Sequence, residues 1–499
     1  MKIVKLKIEN YTLTVGLEIH AELNTRTKMF CSSKNDSNEK RPNVNICPIC
    51  VGYPGALPVI NKEAVRRVLR LGTAVGGEIA DLTLFDRKNY FYPDIPKGYQ
   101  ISQYKYPLVK GGTLCGVTLT RIHLEEDTAR SLHDRNFQFP ISNFQSSSNE
   151  SISNENSNTE NSIKIAKLKT ENSLLDFNRA GVPLVELVTE PVIHDPETAV
   201  RFAHEFQLLL IYLGIAHANM EKGEMRVEAN ISVSKGNLST SQVDKLGAKV
   251  EVKNLNSFKS VEKAIRYEFE RQVKLIEDGG GVKQETRGWD EEREETFSQR
   301  AKEESHDYRY FPDPDLPKLF VRDISEFSEG ALKASLPELP WQKRERYKKE
   351  WGIRKEDIEV YVTNSNKEKE FESVMSILKN PRLAQATSNY VLTDLKRPIQ
   401  ISSVAGTIRM VEEGMLSSRG AKDLLKLIPE SETDARKFAK EKNLIQISDR
   451  KVLKQFVEEV LKDNAGVPIQ FLVGQAMKKS QNRANPIILQ ELFLEMLDR

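Results

Sequence analysis

The chain has 499 residues, 39% of them hydrophobic, and its 74 basic and 72 acidic residues leave a formal net charge of only +2. That length predicts about two to four domains, and the balanced charge means that any nucleic-acid contact must come from a local patch. No run of about 18 uncharged apolar residues is present and the early first strand leaves no room for a signal peptide, so we expect a cytoplasmic protein without a membrane partner.

The first predicted element is a β-strand over residues 14–23 (TVGLEIHAEL), in which apolar and polar residues alternate. Glu18, His20 and Glu22 would share one face of that strand. Two interpretations are open for this face. It is either the solvated side of a half-buried antiparallel strand, or a metal or substrate site on a rigid sheet.

The chain contains four cysteines, Cys31, Cys47, Cys50 and Cys115. Four cysteines in so long a chain do not indicate a disulfide scaffold. The C-P-I-C spacing at residues 47–50 is the i, i+3 separation that tetrahedral zinc sites use.

A helix is predicted next, with Asn61 as its N-cap and Gly76 and Gly77 at its end. Residues 85–104 (FDRKNYFYPDIPKGYQISQY) follow as a loop that two prolines would make rigid. This loop offers positive and polar groups to an anion: Arg87, Lys88, Asn89 and Tyr90.

Two further alternating strands are predicted around residues 116–127 and 225–233. Glu125, Glu126 and Asp127 directly follow the first of these strands. Such an acidic group is either solvated or neutralised by a cation. With Glu18, His20 and Glu186 it would form a site for a hard cation such as Mg²⁺ or Mn²⁺.

Glu186 is flanked on both sides by apolar residues in the segment AGVPLVELVTEP. A carboxylate in such surroundings needs a partner. The two alternatives are an ion pair with an arginine such as Arg179 and ligation of a metal ion.

The strand at KVEVKNLNSFKS ends next to a predicted helix, which places Lys253, Asn254, Asn256 and Ser257 at a helix N-terminus that can bind an anion. Acidic metal ligands together with lysines and amides suit phosphoryl transfer from a metal-bound nucleotide. The sequence has no Walker loop, no kinase glycine loop and no G-x-G-x-x-G motif, which argues against the common nucleotide-binding folds.

Residues 142–173 are rich in Ser and Asn and predict a poorly ordered surface insertion. Beyond Pro317 the composition favours helices to the C-terminus. A break at residues 428–432 (IPESE) would separate a last helical piece. The basic segment 342–355 is more typical of a solvated helix face than of an RNA contact.

Eight motifs in this chain resemble the B subunit of the tRNA-dependent amidotransferase family. They are GLEIHAEL, CPICVGYPGALPVIN, FDRKNYFYPDIPKGYQISQY, HLEEDTARS, DFNRAGVPLVELVTEP, VKNLNSF, QETRGWD and SHDYRYFPDPDLP, and FLVGQAMKK with ANP resembles the family's C-terminal domain. The resemblance implies an α+β fold: a cradle-shaped domain around an antiparallel sheet (1–320, with the insertion 142–173), an all-helical domain (321–428) and a small helical tail that binds tRNA (429–499).

The resemblance also implies the activity. This subunit would use ATP to phosphorylate the side-chain carboxylate of misacylated Glu-tRNA(Gln) or Asp-tRNA(Asn), and ammonia from a partner glutaminase would then displace phosphate. The partners implied are the amidase (A) subunit and a small C subunit, in a bacterial-type cytoplasmic heterotrimer. The alternative is a non-catalytic tRNA-binding assembly subunit of the same fold.

Site residues follow from the same resemblance. Glu18, His20, Glu126 and Glu186 fall at the magnesium ligands, and Lys88 at a phosphate-side position. A larger set is expected to bind ATP or line the cradle: Asn89, Tyr90, Asn178, Arg179, Arg226, Asn230, Lys253, Asn254, Asn256 and Ser257.

The chain departs from the family pattern at two places. Ser33 stands where the zinc-containing members have a cysteine, so Cys31, Cys47 and Cys50 either hold zinc with water, a histidine or Cys115, or form a turn without metal. The stretch DNAGVPIQFLVG is shorter than is usual before FLVG, which leaves the tRNA contact of that loop open.

Overall fold

The computed structural model describes residues 10–36, 38–133, 173–236, 246–301, 308–431, 433–464 and 467–497. The chain forms two compact units, Met1–Pro337 and Glu338–Arg499. All of the predicted insertion except residue 173 lies outside the described residues. The division into three domains with boundaries at 320 and 428 stays a prediction.

Strands in the described residues all belong to the first unit. They are β1 Tyr11–Glu22, β2 Glu78–Ile79, β3 Leu82–Thr83, β4 Asp86–Asn89, β5 Tyr99–Ser102, β6 Val109–Lys110, β7 Thr113–Leu114, β8 Val117–Glu126, β9 Arg130–His133, β10 Ser173–Asp176, β11 Pro183–Thr189, β12 Met225–Lys235, β13 Val250–Leu255, β14 Glu285–Asp290, β15 Glu295–Ala301, β16 Phe311–Pro312 and β17 Leu319–Phe320.

The large sheet has ten strands in the order β15-β14-β13-β12-β1-β11-β8-β6-β2, with β7 paired to β8. Its long central strands pair antiparallel, as expected, but β13 and β14 run parallel. The sheet is therefore mixed rather than wholly antiparallel, because a helical crossover connects these two strands.

Four helices accompany the sheet in the first unit: α1 Lys62–Ala74, α2 Pro196–Tyr212, α3 Phe258–Glu277 and α4 Glu329–Ala334. Asn61 caps α1 as predicted, since its side chain accepts hydrogen bonds from the backbone N–H groups of Glu63 and Ala64. Helices α1, α2 and α3 all contact strands of the large sheet.

Strand β1 shows how the alternating sequence positions the polar face. Val15, Leu17, Ile19 and Ala21 are completely buried in the core, and each large side chain so buried stabilises the fold by about 1.5–3 kcal/mol. A one-residue shift in register would expose this whole set. The apolar residues therefore hold the opposite face, with Glu18 and His20, in a fixed position.

Two predictions about local structure differ from the observed elements. Arg87, Lys88 and Asn89 lie in strand β4, which pairs with β5 and β16 in a small separate sheet, rather than in a loop. Glu125 and Glu126 are the last residues of β8 and are buried, as is Asp127. In both segments tertiary pairing supplies partners for charged residues whose composition favours a solvated loop.

The second unit consists of helices. They are α5 Pro340–Trp351, α6 Lys355–Thr363, α7 Ser365–Leu378, α8 Ala384–Thr393, α9 Ile401–Glu412, α10 Ser418–Leu427, α11 Ala435–Glu441, α12 Arg450–Asp463, α13 Ile469–Lys479 and α14 Pro486–Leu497. The buried residues of α12, α13 and α14 form one hydrophobic cluster that includes Leu453, Leu472 and Phe493. Helix α11 packs on α9.

Three basic side chains of helix α5 form ion pairs within their own unit. Arg344 lies 2.9 Å from Glu359, Arg346 lies 2.6 Å from Glu338, and buried Lys343 pairs with Glu368. That segment 342–355 is a solvated helix face rather than an RNA contact stays a prediction. Within the described residues, we find no helix with both the length and the apolar character needed to cross a bilayer.

Candidate active site

The candidate site is built on a row of three residues that lie side by side on adjacent strands. In the register of the sheet His20 on β1 faces Glu186 on β11, and Glu186 faces His123 on β8. Directly paired residues in antiparallel strands place their side chains on the same face and close together. The Nε2 atoms of His20 and His123 each lie 3.2 Å from Oε2 of Glu186.

Two more carboxylates complete this group. An oxygen of Glu125 lies 3.8 Å from Nε2 of His20, and an oxygen of Glu18 lies 3.9 Å from the same nitrogen. Ser102 and Gln100 of β5 hold Glu125 in place, donating hydrogen bonds of 2.5 and 3.0 Å. We call Glu18, His20, His123, Glu125 and Glu186 the carboxylate–histidine cluster.

The cluster is short of positive charge, as the pKa values of its members show. Burial, with the charges of Glu186 and Glu228, raises the pKa of Glu18 to about 7. Burial works against protonation of His20, but the neighbouring Glu186, Glu18 and Glu125 raise its pKa to about 9. The negative charge around Glu18 and His20 thus raises the pKa of both groups, and a bound cation would lower both pKa values.

A cavity of about 200 Å³ opens beside the cluster. Lys88, Arg121 and Lys253 line it together with cluster residues. The Lys88 ammonium lies 5.0 Å from the ring centre of Tyr308, and although burial opposes its charge, Glu125 keeps the pKa of Lys88 well above its usual value. The cavity therefore combines carboxylates with fixed cations, as a site for a metal-bound phosphate requires.

Glu228 on β12 and Glu251 on β13 extend the polar face beyond the cluster. The carboxylate oxygens of Glu18, Glu228 and Glu251 lie within 4.8 Å of one another. Lys253 lies 2.8 Å from Glu228 and 3.7 Å from Glu251, and so neutralises part of this charge.

The donor atoms of the cluster fit a divalent cation. Glu18, His20 and Glu186 each offer a ligand atom within a common 4.8 Å, and so do His123, Glu125 and Glu186. Carboxylate oxygens are the ligands that Mg²⁺ prefers, with imidazole better suited to transition metals such as Mn²⁺. The buried Nδ1 of His123 has no hydrogen-bond partner among the described residues.

The structure places Glu126 away from the other expected ligands. Successive residues of a strand point to opposite faces, so the side chain of Glu126 points away from the cluster that contains Glu125. Its carboxylate pairs with Lys97 and accepts a 2.9 Å hydrogen bond from the backbone N–H of Ile101. Glu125 occupies the position in the cluster that was expected for Glu126.

Arg179 does not pair with Glu186. It contacts Glu22 at 2.8 Å and also bonds to Asp127, while the arginine next to Glu186 is Arg121, at 3.6 Å. The ion pair considered for Glu186 is therefore made with a different arginine.

Asn178 and Arg226 lie outside the cluster. Asn178 is buried, and its side chain accepts hydrogen bonds from the backbone N–H groups of Val44 and Asn45. Arg226 donates to Asp127 at 3.1 Å. In the register of the sheet Arg226 is next to His20 on the neighbouring strand, so it borders the cluster without touching its carboxylates.

The remaining expected residues do not lie together. Asn89 and Tyr90 bond to Arg309 and Gln100 near Lys88, and buried Oδ1 of Asn230 has no partner among the described residues. Asn256 and Ser257 line a different cavity, beside His217, and Ser257 caps α3. Asn254 is exposed and has a positive φ of 66°.

Sequence reasoning passed over several residues that the structure brings to the site. His123 and Arg121 share the alternating face of β8 with Glu125, and Glu228 lies on the predicted polar face of β12. That alternation was a usable signal. Tyr308 and Tyr310, by contrast, reach the cavity from a distant part of the chain. They lie in the motif SHDYRYFPDPDLP, but that motif by itself assigns them no place near Lys88.

The three expected zinc ligands do lie together. Sγ of Cys50 is 3.5 Å from Sγ of Cys31 and 3.6 Å from Sγ of Cys47. The other polar neighbours of Cys50 are the Ser33 hydroxyl and the Lys28 ammonium, each at 3.6 Å, and exposed Cys115 is not in the group. The group falls one ligand short of a four-coordinate structural zinc site.

The fold and the cluster define a two-unit protein with a candidate metal and phosphate site on a large sheet, and comparison with known proteins gives its family. Residues 13–325 match the GatB/GatE catalytic domain, and residues 363–497 match the GatB domain. The chain belongs to the GatB family.

Named relatives match this chain over nearly its full length. The B subunit of aspartyl/glutamyl-tRNA(Asn/Gln) amidotransferase from Carboxydothermus hydrogenoformans is 36% identical, and the match covers 98% of this chain and 99% of the relative. The proteins of the same name from Caldicellulosiruptor saccharolyticus and Thermotoga petrophila are 37% and 36% identical, with the same coverage of both chains.

Proposed function

We propose that this chain is the B subunit of a glutamine-dependent aminoacyl-tRNA amidotransferase. It uses ATP to activate the side-chain carboxylate of Glu-tRNA(Gln) or Asp-tRNA(Asn), and ammonia then replaces the phosphate to give Gln-tRNA(Gln) or Asn-tRNA(Asn). The full-length identity to relatives of that name supports this proposal. The cradle shape and the three-domain division belong to the same proposal.

The observation that carries the site assignment is the row His20–Glu186–His123 with Glu18 and Glu125 around it. We infer that Glu18, His20 and Glu186 hold Mg²⁺, with Glu125 rather than Glu126 as the fourth residue. The cation would neutralise charge on the ATP phosphates. Burial of Glu125, Glu186 and His123 limits the access of water to this part of the site.

The fixed cations of the cavity have a separate role. Lys88 and Arg121 enter from β4 and β8 and line the same cavity as the carboxylates. Their positive charge would bind phosphate oxygens and orient the phosphoryl group towards the acyl carboxylate. Lys253 holds Glu228 and so keeps the far edge of the polar face in place.

Ammonia must come from another protein in this scheme, since the chain has no Ser-rich amidase motif. The partners we propose are an amidase A subunit, a small C subunit and misacylated tRNA.

The test is an assay of the reconstituted complex with ATP, glutamine and each misacylated tRNA, in which the product amino acid is identified. We expect amide formation that depends on ATP and on the partner, and no glutamine hydrolysis by this chain alone. A complex that binds tRNA without forming amide would favour the non-catalytic assembly subunit. Glutaminase activity of the pure chain would contradict the assignment of ammonia supply to the partner.

A further inference from the structure

Three cysteines meet at one point outside the carboxylate–histidine cluster. Cys31 follows β1, while Cys47 and Cys50 lie on a turn before α1. Cys50 is the shared member, because its Sγ is 3.5 Å from Cys31 and 3.6 Å from Cys47. A disulfide requires the two sulfurs to approach to about 2.05 Å, which is a shift of about 1.5 Å and can come from side-chain rotation.

The surroundings of these thiols do not complete a metal site. The completely buried Lys28 directs its ammonium at Cys50 and at the carbonyl of Phe177, and an ammonium cannot ligate a cation. Among the described residues, no histidine or carboxylate joins the group. The thiols are left with one another as their nearest reactive partners.

The three sulfurs differ in their access to solvent. Cys50 is 3% exposed, whereas Cys31 and Cys47 are partly exposed. A small oxidant therefore reaches Cys31 more readily than it reaches Cys50. Cys50 is then in position to react with an oxidised Cys31, which is how a resolving cysteine acts.

We propose that Cys31 and Cys50 form a reversible disulfide when the protein meets hydrogen peroxide. The Cys31 sulfur attacks one peroxide oxygen, the O–O bond breaks, and the thiol becomes a sulfenic acid with release of water. The Cys50 sulfur then attacks the sulfenic sulfur, the S–O bond breaks, and the S–S bond forms with release of a second water. Both thiol protons end in the two waters, and the two thiols supply the two electrons that reduce the peroxide.

The disulfide can be mapped in the full chain without any substitution. The reduced protein is treated with hydrogen peroxide, the remaining thiols are alkylated, and tryptic peptides are analysed by mass spectrometry. We expect peptide 29–34 to be linked to the peptide that carries Cys47 and Cys50 and ends at Lys62, with one alkylated thiol in the pair. Dithiothreitol should release both peptides.

Single substitutions identify the partner of Cys31. Cys47→Ser should keep the link between the two peptides, since Cys50 remains. Cys50→Ser should abolish that link. Cys115→Ser is the matched control, because Cys115 is exposed and outside the group, and it should leave the link unchanged.

Two results would overturn the proposal. One is that Cys31 and Cys50 remain separately alkylated, or proceed to sulfinic acid, at peroxide concentrations that oxidise Cys115. The other is that the purified protein contains about one zinc per chain, measured by inductively coupled plasma mass spectrometry, and that this zinc protects the three thiols from peroxide. Neither result bears on amidation by the carboxylate–histidine cluster.

Discussion

Glu186 contacts two imidazoles at once, and this arrangement governs the electrostatics of the cluster. The charges of His123 and His20 hold the pKa of Glu186 well below its ordinary value, even though burial alone would raise it. The same contacts raise the pKa of both histidines. Loss of a single member therefore changes the charge of the whole cluster.

Replacement of His20 by alanine should separate catalysis from stability. Glu186 keeps His123 as a partner, so we expect the melting temperature to stay within about 4 °C of that of the unchanged protein. A lost metal ligand removes several kcal/mol from charge stabilisation, which corresponds to a fall in activity of about 10²–10⁴-fold. Thermal unfolding and single-turnover phosphate release, measured side by side, provide the check.

Glu186→Gln is the companion variant for this measurement. It keeps the shape of the side chain but loses the charge that a cation needs, so a similar loss of turnover is expected. Normal turnover of His20→Ala at ordinary magnesium concentrations would contradict the metal-site proposal.

Glu125→Gln and Glu126→Gln form a matched pair of adjacent substitutions. We expect the first to lower activity by about a hundredfold or more, because Glu125 lies within 4 Å of both histidines. The second should mainly lower the melting temperature, since it leaves the ammonium of Lys97, whose side chain is 8% exposed, without its carboxylate, at a cost of about 3–5 kcal/mol.

Activity and thermal unfolding of both variants distinguish the two roles. If Glu126→Gln were stable and inactive while Glu125→Gln were active, the ligand set implied by family resemblance would be right and the one inferred from the geometry would be wrong.

Some strands and helices are predicted by a local sequence pattern, and others are not. The polar faces of β1, β8 and β12 follow from strict alternation, and α1 follows from a cap and an apolar stripe. Strand β4 has no such signal. Its four residues, Asp86–Asn89, are all polar, and it forms because β5 and β16 pair with it on either side.

The cap of α1 offers a test at the scale of one element. Asn61 accepts from two helix N–H groups, at 3.0 and 3.2 Å, and donates to the carbonyls of Thr27 and Lys28. We expect Asn61→Ala to cost about 2 kcal/mol, at the upper end for a cap because the side chain also ties down a neighbouring segment.

Ser328→Ala is the control for Asn61→Ala, since Ser328 caps the short helix α4 through one bond of 3.4 Å. Thermal unfolding should show a clear decrease for Asn61→Ala and little change for Ser328→Ala. Equal decreases would mean that the additional bonds of Asn61 contribute nothing measurable.

At the scale of the whole molecule, the C-terminal helices have a hydrophobic core of their own. The cluster of α12–α14 contains Leu453, Val457, Leu472, Leu489 and Phe493, all almost fully buried. The break predicted at residues 428–432 falls between α10 and α11, whereas α11 packs on α9.

Removal of residues 446–499 should therefore leave the catalytic unit folded. We expect the thermal transition of the first unit to be unchanged and the affinity for misacylated tRNA to fall at least about tenfold, because the removed helices carry the proposed tRNA contact. Filter binding and thermal unfolding provide the check. Unchanged tRNA affinity would place the contact elsewhere in the chain.

Local sequence patterns predict much of the candidate site. Alternation on β1 places Glu18 and His20 on one polar face, and the apolar flanks of Glu186 require that carboxylate to have a partner. The family motifs in the sequence predict the activity of the relatives that the chain matches. Each of these inferences uses only residues that are close together along the chain, and the sequence alone shows those residues.

The tertiary structure decides which side chains meet. Choosing between Glu125 and Glu126 requires the strand register, because a shift of one residue reverses the face. The arginine next to Glu186 is Arg121 rather than Arg179, because Arg179 is held by Glu22 of β1 and by Asp127, which directly follows β8. Lys88 and the tyrosines at 308 and 310 meet over more than 200 residues of chain. Contacts over such separations depend on how sheets and helices pack together, and no local pattern in the sequence records that packing.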